Sequence, residues 1–206
     1  MPPTTITIRP RQPTDLPSCA SLLTRVYERD AYPVQGVSQA VEFLSSPSTL
    51  AAWVAVAVEA ESQTATTTTT NKHTLPSPDP PAPTRASQLI LAHVSLTLPS
   101  PSTSTSDPAV ALWQSQNHPE PIAVLERLFV DPEARGQGLA AKLLRVASEE
   151  AGKRGLRAVL FALVKDEGAM RLYERVGWRE FGRSVYAYSD HEGRGREMEA
   201  VCYVGP

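Results

Sequence analysis

The residues best suited to chemistry in this chain are Arg135-Gly136-Gln137-Gly138-Leu139-Ala140, a glycine-punctuated run between a strand signal and a helix signal. At such a junction the first N–H groups of the helix have no intrahelical partner, and the helix dipole favours an anion. Glycines at 136 and 138 let phosphate oxygens approach that backbone closely, so the run reads as a pyrophosphate cradle. Taken alone, the Gly-x-Gly pair also fits a plain tight turn. No Gly-Lys-Ser/Thr follows, which excludes a Walker A loop. The third glycine and the chain-initial strand of a dinucleotide-binding fingerprint are missing as well. Cys19 and Cys202 stand near opposite ends with no second ligand nearby, so neither a disulfide framework nor a metal motif is implied. His73, His93, His118 and His191 are scattered, and their spacing offers no metal site.

These residues need elements to position them, and the last third of the chain supplies a clear set. Residues 122–130 read as a strand that stops at Asp131-Pro132. Over 138–153, Leu139, Leu143, Val146, Ala147 and Ala151 recur at helical spacing, with Ala140 and Leu144 widening the apolar stripe. The apolar run 158–164 fits a strand buried on both faces. Strand, helix and strand in so few residues argue a parallel pair joined by a right-handed crossover. Ala169, Leu172, Tyr173 and Val176 then mark another helix, with Gly177 as its C-terminal cap. Two strands at 178–188 and 197–204, joined by a polar turn, complete the chain.

Upstream, residues 5–9 alternate as a short strand, and Thr14 or Asp15 can cap a helix bearing Leu16, Ala20, Leu23, Val26 and Tyr27. A shorter helix fits 38–44, and strands fit 51–58 and 88–98. Between and after these strands the composition changes. Residues 61–87 carry a threonine run and a proline cluster, and residues 99–121 are rich in Ser and Pro. Both read as disordered insertions, since such segments bury too little apolar surface to offset ordering entropy. The expected organisation is one domain over 1–206 interrupted by these insertions.

The 206 residues suffice for one sizeable core, and 41% hydrophobic with 20% charged residues suits a soluble globular protein. A net charge of -2 gives no basic stripe for nucleic acid or an anionic membrane. No apolar run approaches the roughly 18 residues needed to span a bilayer, and the polar start resembles no signal peptide. A cytoplasmic protein, monomer or homodimer, is the expectation.

The run from Leu128 to Ala140 closely resembles motif A of the GNAT (GCN5-related N-acetyltransferase) superfamily, whose core is Arg/Gln-x-x-Gly-x-Gly/Ala. Asp166-Glu167-Gly168-Ala169-Met170-Arg171-Leu172-Tyr173-Glu174-Arg175-Val176-Gly177-Trp178 is similar to the family's motif B helix, with Asp166 replacing the usual Asn and Trp178 the usual Phe. The resemblance covers about residues 122–182. It implies an α/β fold with a mixed central sheet flanked by helices on both faces. It also implies acetyl-CoA as co-substrate, with no metal, and direct transfer of its acetyl group to an amine. The first choice of acceptor is a small primary amine. A protein lysine or N-terminal amine is the alternative, and a non-catalytic acyl-CoA-binding module is a further one.

By the same resemblance, Leu128, Phe129 and Val130 present backbone groups to the pantetheine arm, Arg135 to Ala140 hold the pyrophosphate, and Asp166 lies near the pantetheine. Tyr173 matches the motif B tyrosine that protonates the departing thiolate. Packing without proton transfer is its other reading. Glu126 is the candidate base for the incoming ammonium, because family members often place a glutamate on this strand and it shares strand parity with Leu128 and Val130. It could equally be a solvated or ion-paired strand residue.

Overall fold

The computed structural model describes residues 5–58, 88–99 and 107–206. Among the described residues, seven strands form one mixed sheet in the order β1-β2-β3-β4-β5-β7-β6. They are β1 (Thr5–Pro10), β2 (Thr49–Val58), β3 (Gln88–Thr97), β4 (Ile122–Val130), β5 (Arg157–Leu163), β6 (Arg179–Ser189) and β7 (Gly195–Val204). The helices are α1 (Leu16–Asp30), α2 (Ala40–Leu44), α3 (Pro108–Ser115), α4 (Leu139–Lys153) and α5 (Glu167–Arg175). The mixed α/β architecture implied by the resemblance is therefore present, and the expected insertion at 61–87 lies outside the described residues.

Hydrophobic patterning decides which helix covers which face. Helix α4 buries Leu139, Leu143, Leu144, Ala147 and Ala151 against Ala123 and Leu125 of β4 and Ala158 and Leu160 of β5. Helix α5 packs on the same face. On the opposite face, Cys19, Leu22, Leu23 and Val26 of α1 cover Val54, Val56, Ile90 and Phe129. Helix α3 covers Val124, Val159, Cys202 and Val204 farther along that face. The end of α5 is closed as the sequence indicates: Gly177 adopts φ +90, its N–H donates to Glu174 O at 3.1 Å, and Trp178 N–H reaches Tyr173 O at 3.0 Å. These are the paired bonds of a Schellman cap.

Helix α3 corrects the expectation that 99–121 is a disordered insertion. Asp107 caps it, accepting from Ala109 N–H at 2.9 Å and Val110 N–H at 3.0 Å, and Pro108 occupies the first turn. Ala109, Val110 and Trp113 are buried, and Trp113 Nε1–H donates to Glu120 O at 3.2 Å. The Ser/Pro bias around this helix hid eight ordered residues. Trp113→Ala should lower unfolding stability by about 3–5 kcal/mol in urea denaturation, the range for a large buried aromatic. A silent substitution would show that α3 adds nothing to the core.

Candidate active site

The site begins where the sheet opens. Strands β4 and β5 run parallel, yet only Ile122 to Val124 pair with Arg157 to Val159. Beyond Val124 the two strands part, and a cavity of ≈ 1310 Å³ lies between and over them. The backbone of β4 from Leu125 onward is therefore not paired to β5 and can accept an extended ligand as an added strand.

A bulge sets the direction of that strand. His93 pairs with Phe129 and Ser95 with Glu126, so two steps on β3 oppose three on β4. Arg127 absorbs the extra residue at φ +56, a left-handed conformation that costs a non-glycine residue about 1–2 kcal/mol. Two fully buried side chains of β3 hold it: Ser95 Oγ donates to Glu126 O at 3.1 Å, and His93 Nδ1 lies 2.9 Å from Arg127 O. Arg11 donates to His93 Nε2 at 2.9 Å, and since arginine can only donate and a carbonyl only accept, His93 is the neutral Nδ1–H tautomer.

The bulge also reverses the strand's parity. Leu125, Leu128 and Val130 all pack toward α4, while Phe129 packs toward α1. Glu126 therefore does not share a face with Leu128 and Val130, as regular alternation predicts. It lies on the α1 and α3 side, where burial raises the pKa of the Asp107 carboxyl and of the Tyr186 hydroxyl and the Glu126 charge adds to both. It is ion-paired with the Arg127 guanidinium, which also stacks over Phe43 at 5.0 Å.

Burial holds His93 neutral, lowering its pKa to about 3 from an ordinary 6.5. Between those values the unfolded chain binds a proton that the folded protein does not. The stabilising contribution of His93 is thus complete above pH 6.5 and declines by up to about 1.4 kcal/mol per pH unit as pH falls toward 3. His93→Gln should flatten the stability-versus-pH slope between about pH 6 and 4 in denaturant titrations. An unchanged slope would mean that His93 titrates normally.

At the end of β4, Asp131 is buried, accepts from Glu133 N–H at 3.1 Å and pairs with Arg25 of α1 at 2.6 Å. Arg135 forms a second ion pair with Asp30, also on α1. These pairs anchor the turn into α4. Gly136 and Gly138 there adopt φ +79 and +72, and a Cβ built on either would meet nothing within 4 Å. The turn thus offers open space above glycine backbone, next to the N–H groups of the first turn of α4. This is the arrangement a pyrophosphate requires.

Of the residues assigned from sequence, Glu126, Leu128, Phe129, Val130, Arg135, Gly136, Gly138, Leu139, Ala140, Asp166 and Tyr173 all line the one cavity. Gln137 is exposed and is not among its lining residues. Tyr173 is buried, with its ring 6.2 Å from Trp178 and 5.6 Å from Tyr203. Burial first, then the Asp166 charge, push its hydroxyl well above its ordinary pKa, so it holds its proton at neutral pH. Asp166 precedes α5 and pairs with Lys165 at 2.8 Å. Sequence reading missed Asp107, Tyr186, Gln35 and the Arg11–His93 pair. Only Asp107 carried a local signal, the Asp-Pro of a helix start.

Residues 105–178 match the model of the acetyltransferase (GNAT) family, and that stretch contains both the opened strand and the glycine turn. Over those residues the chain is similar to the GNAT acetyltransferases. An uncharacterized N-acetyltransferase of Methanocaldococcus jannaschii is 39% identical over 69 residues, 33% of this chain and 30% of the relative. An acetyltransferase of Agrobacterium fabrum is 43% identical over 58 residues, 28% of this chain and 42% of the relative. The chain thus spans less than half the length of each of these two curated relatives. The crystal structure of Arabidopsis thaliana NAA60 in complex with acetyl-CoA superposes with TM-score 0.60 at 18% identity, covering 98% of both chains. That likeness shows the fold. Burial pushes the Cys19 thiol up to about 11 and the Cys202 thiol up to about 12, so both hold their protons near neutral pH.

Proposed function

We propose that this protein is a GNAT acetyltransferase that transfers the acetyl group of acetyl-CoA directly to a primary amine. The observation that carries the reading is the continuity of one cavity from the glycine turn, past the unpaired backbone of β4, to Tyr173 and Glu126. The glycine turn suits the pyrophosphate, and the β4 backbone suits the pantetheine amides. The complex of NAA60 with acetyl-CoA supports the same donor here. The neutral amine nitrogen attacks the thioester carbonyl, the C–S bond breaks, the Tyr173 hydroxyl protonates the departing sulfur, and the proton shed by nitrogen as the amide forms restores that hydroxyl. No acyl-enzyme is required, in keeping with two thiols held in the protonated form.

A compact acceptor fits the far end of the cavity. Gln35 Nε2 donates to the Tyr186 hydroxyl, joining the loop after α1 to β6. At Gly36 an added Cβ would lie 3.2 Å from Cβ of His191, in the turn between β6 and β7. An internal lysine of an extended polypeptide needs a groove open at both ends, and a bridge between two residues that line the cavity argues against one. A small amine, or an amine at a chain end, can enter end-on.

Release of CoA thiol, followed with a chromogenic disulfide, tests the reading across small primary amines, peptides with free N-termini, and N-blocked lysine peptides. Small amines should give the highest kcat/KM and blocked lysine peptides the lowest. Binding of acetyl-CoA without release on any amine would favour a non-catalytic acyl-CoA-binding module.

A further inference from the structure

Helix α3 brings a second carboxyl group to the acceptor side of the cavity. Asp107 lines it together with Glu126 and Tyr186. One carboxyl oxygen, Oδ1, caps α3 by accepting from Ala109 and Val110. The other oxygen takes part in neither bond. Glu126 is already committed to the Arg127 guanidinium.

We propose that Asp107 is the general base of the reaction, taking the proton from the acceptor ammonium. This rests on the acetyltransferase reading of the same cavity. In the step, R–NH3+ gives one proton to the Asp107 carboxylate, leaving R–NH2 and a neutral carboxylic acid. The nitrogen lone pair so released attacks the thioester carbonyl, and the C–S electron pair leaves with sulfur. The Tyr173 hydroxyl protonates that sulfur, and the second nitrogen proton restores the Tyr173 hydroxyl as the neutral amide forms.

The surroundings of Asp107 suit a base that works near neutral pH. Among the described residues, the groups near it are Glu126 on β4, Tyr186 on β6, Cys202 on β7 and the two capping N–H groups of α3. Burial is the largest influence, Glu126 adds to it, the N–H groups oppose it, and the carboxyl settles at about 6. Its pKa is raised, so the carboxylate is present above that value and is lost as pH falls through it. A proton acceptor with a pKa close to the working pH is the most effective kind.

The test uses Asp107→Asn and Asp107→Ser in the full chain, because both residues cap helices well and keep α3 in place. With the best amine at pH 7, each variant should lose about 10²-fold in kcat/KM for the amine while keeping the wild-type melting shift with acetyl-CoA. Wild-type kcat/KM should fall as pH drops below about 6, and the variants should lack that limb. Their defect should shrink as pH rises toward the amine's own pKa, near 10 for an alkylamine. Variants within about threefold of wild type, with the same pH profile, would overturn the assignment and leave Asp107 a helix cap. Loss of the acetyl-CoA shift in both variants would overturn it too, by placing their effect on the cofactor side. An inactive wild type on every amine would instead remove the acetyltransferase reading itself.

Discussion

Gly138→Asp is expected to weaken acetyl-CoA binding by at least about 10²-fold, because it places a carboxylate in the space a pyrophosphate would occupy. The backbone at this position has φ +72, and nothing lies within 4 Å of an added Cβ. Aspartate is among the residues most tolerant of that conformation, so the fold should survive. The wild-type protein should melt at a higher temperature in saturating acetyl-CoA, since a ligand that binds only the native state stabilises it by mass action. Gly138→Asp should show no shift, and Gly138→Ala, which adds bulk without charge, should fall between. A full shift in Gly138→Asp would move the phosphate site elsewhere.

Tyr173→Phe should lower kcat by about 10²-fold, the low end for a positioned general acid, since a thiolate is already a fair leaving group. Acetyl-CoA affinity should hardly change, because the hydroxyl acts in the transition state and not in the ground state. The phenyl ring still fills the buried position between Trp178 and Tyr203, so folding is not at risk. Unchanged turnover would leave Tyr173 a packing residue. A parallel loss of acetyl-CoA binding would assign the hydroxyl to recognition of the bound donor.

The parts of this site that sequence makes legible are local ones. Strand β4, the turn at Gly136 and Gly138, and helix α4 follow from apolar period and glycine placement within about three dozen residues. The Schellman cap at Gly177 is equally local. The bulge is not, because Arg127 is a non-glycine residue at φ +56 and carries no signature of it. Its cause lies on another strand, in His93 and Ser95. Missing it reverses the face assigned to Glu126. The anchors Arg25–Asp131 and Arg135–Asp30 join residues 106 and 105 positions apart, so no window along the chain could pair them. Helix α3 was obscured by composition, although Asp107-Pro108 followed by Trp113 carries a capped start and a core aromatic.

On the proposed reading, helix α3 and the loop after α1 shape the acceptor end and the glycine turn and β4 the donor end, so acetyl transfer is direct and leaves no covalent stop on the protein. Mass spectrometry of a single turnover tests this most directly. Protein in excess over acetyl-CoA is mixed with the best amine, and small molecules and intact protein are weighed over time. Acetylated amine and free CoA should appear together in equal amounts, with the protein mass unchanged throughout. An acetylated protein that forms before the product and decays into it would contradict direct transfer, as would CoA release with no acetylated amine.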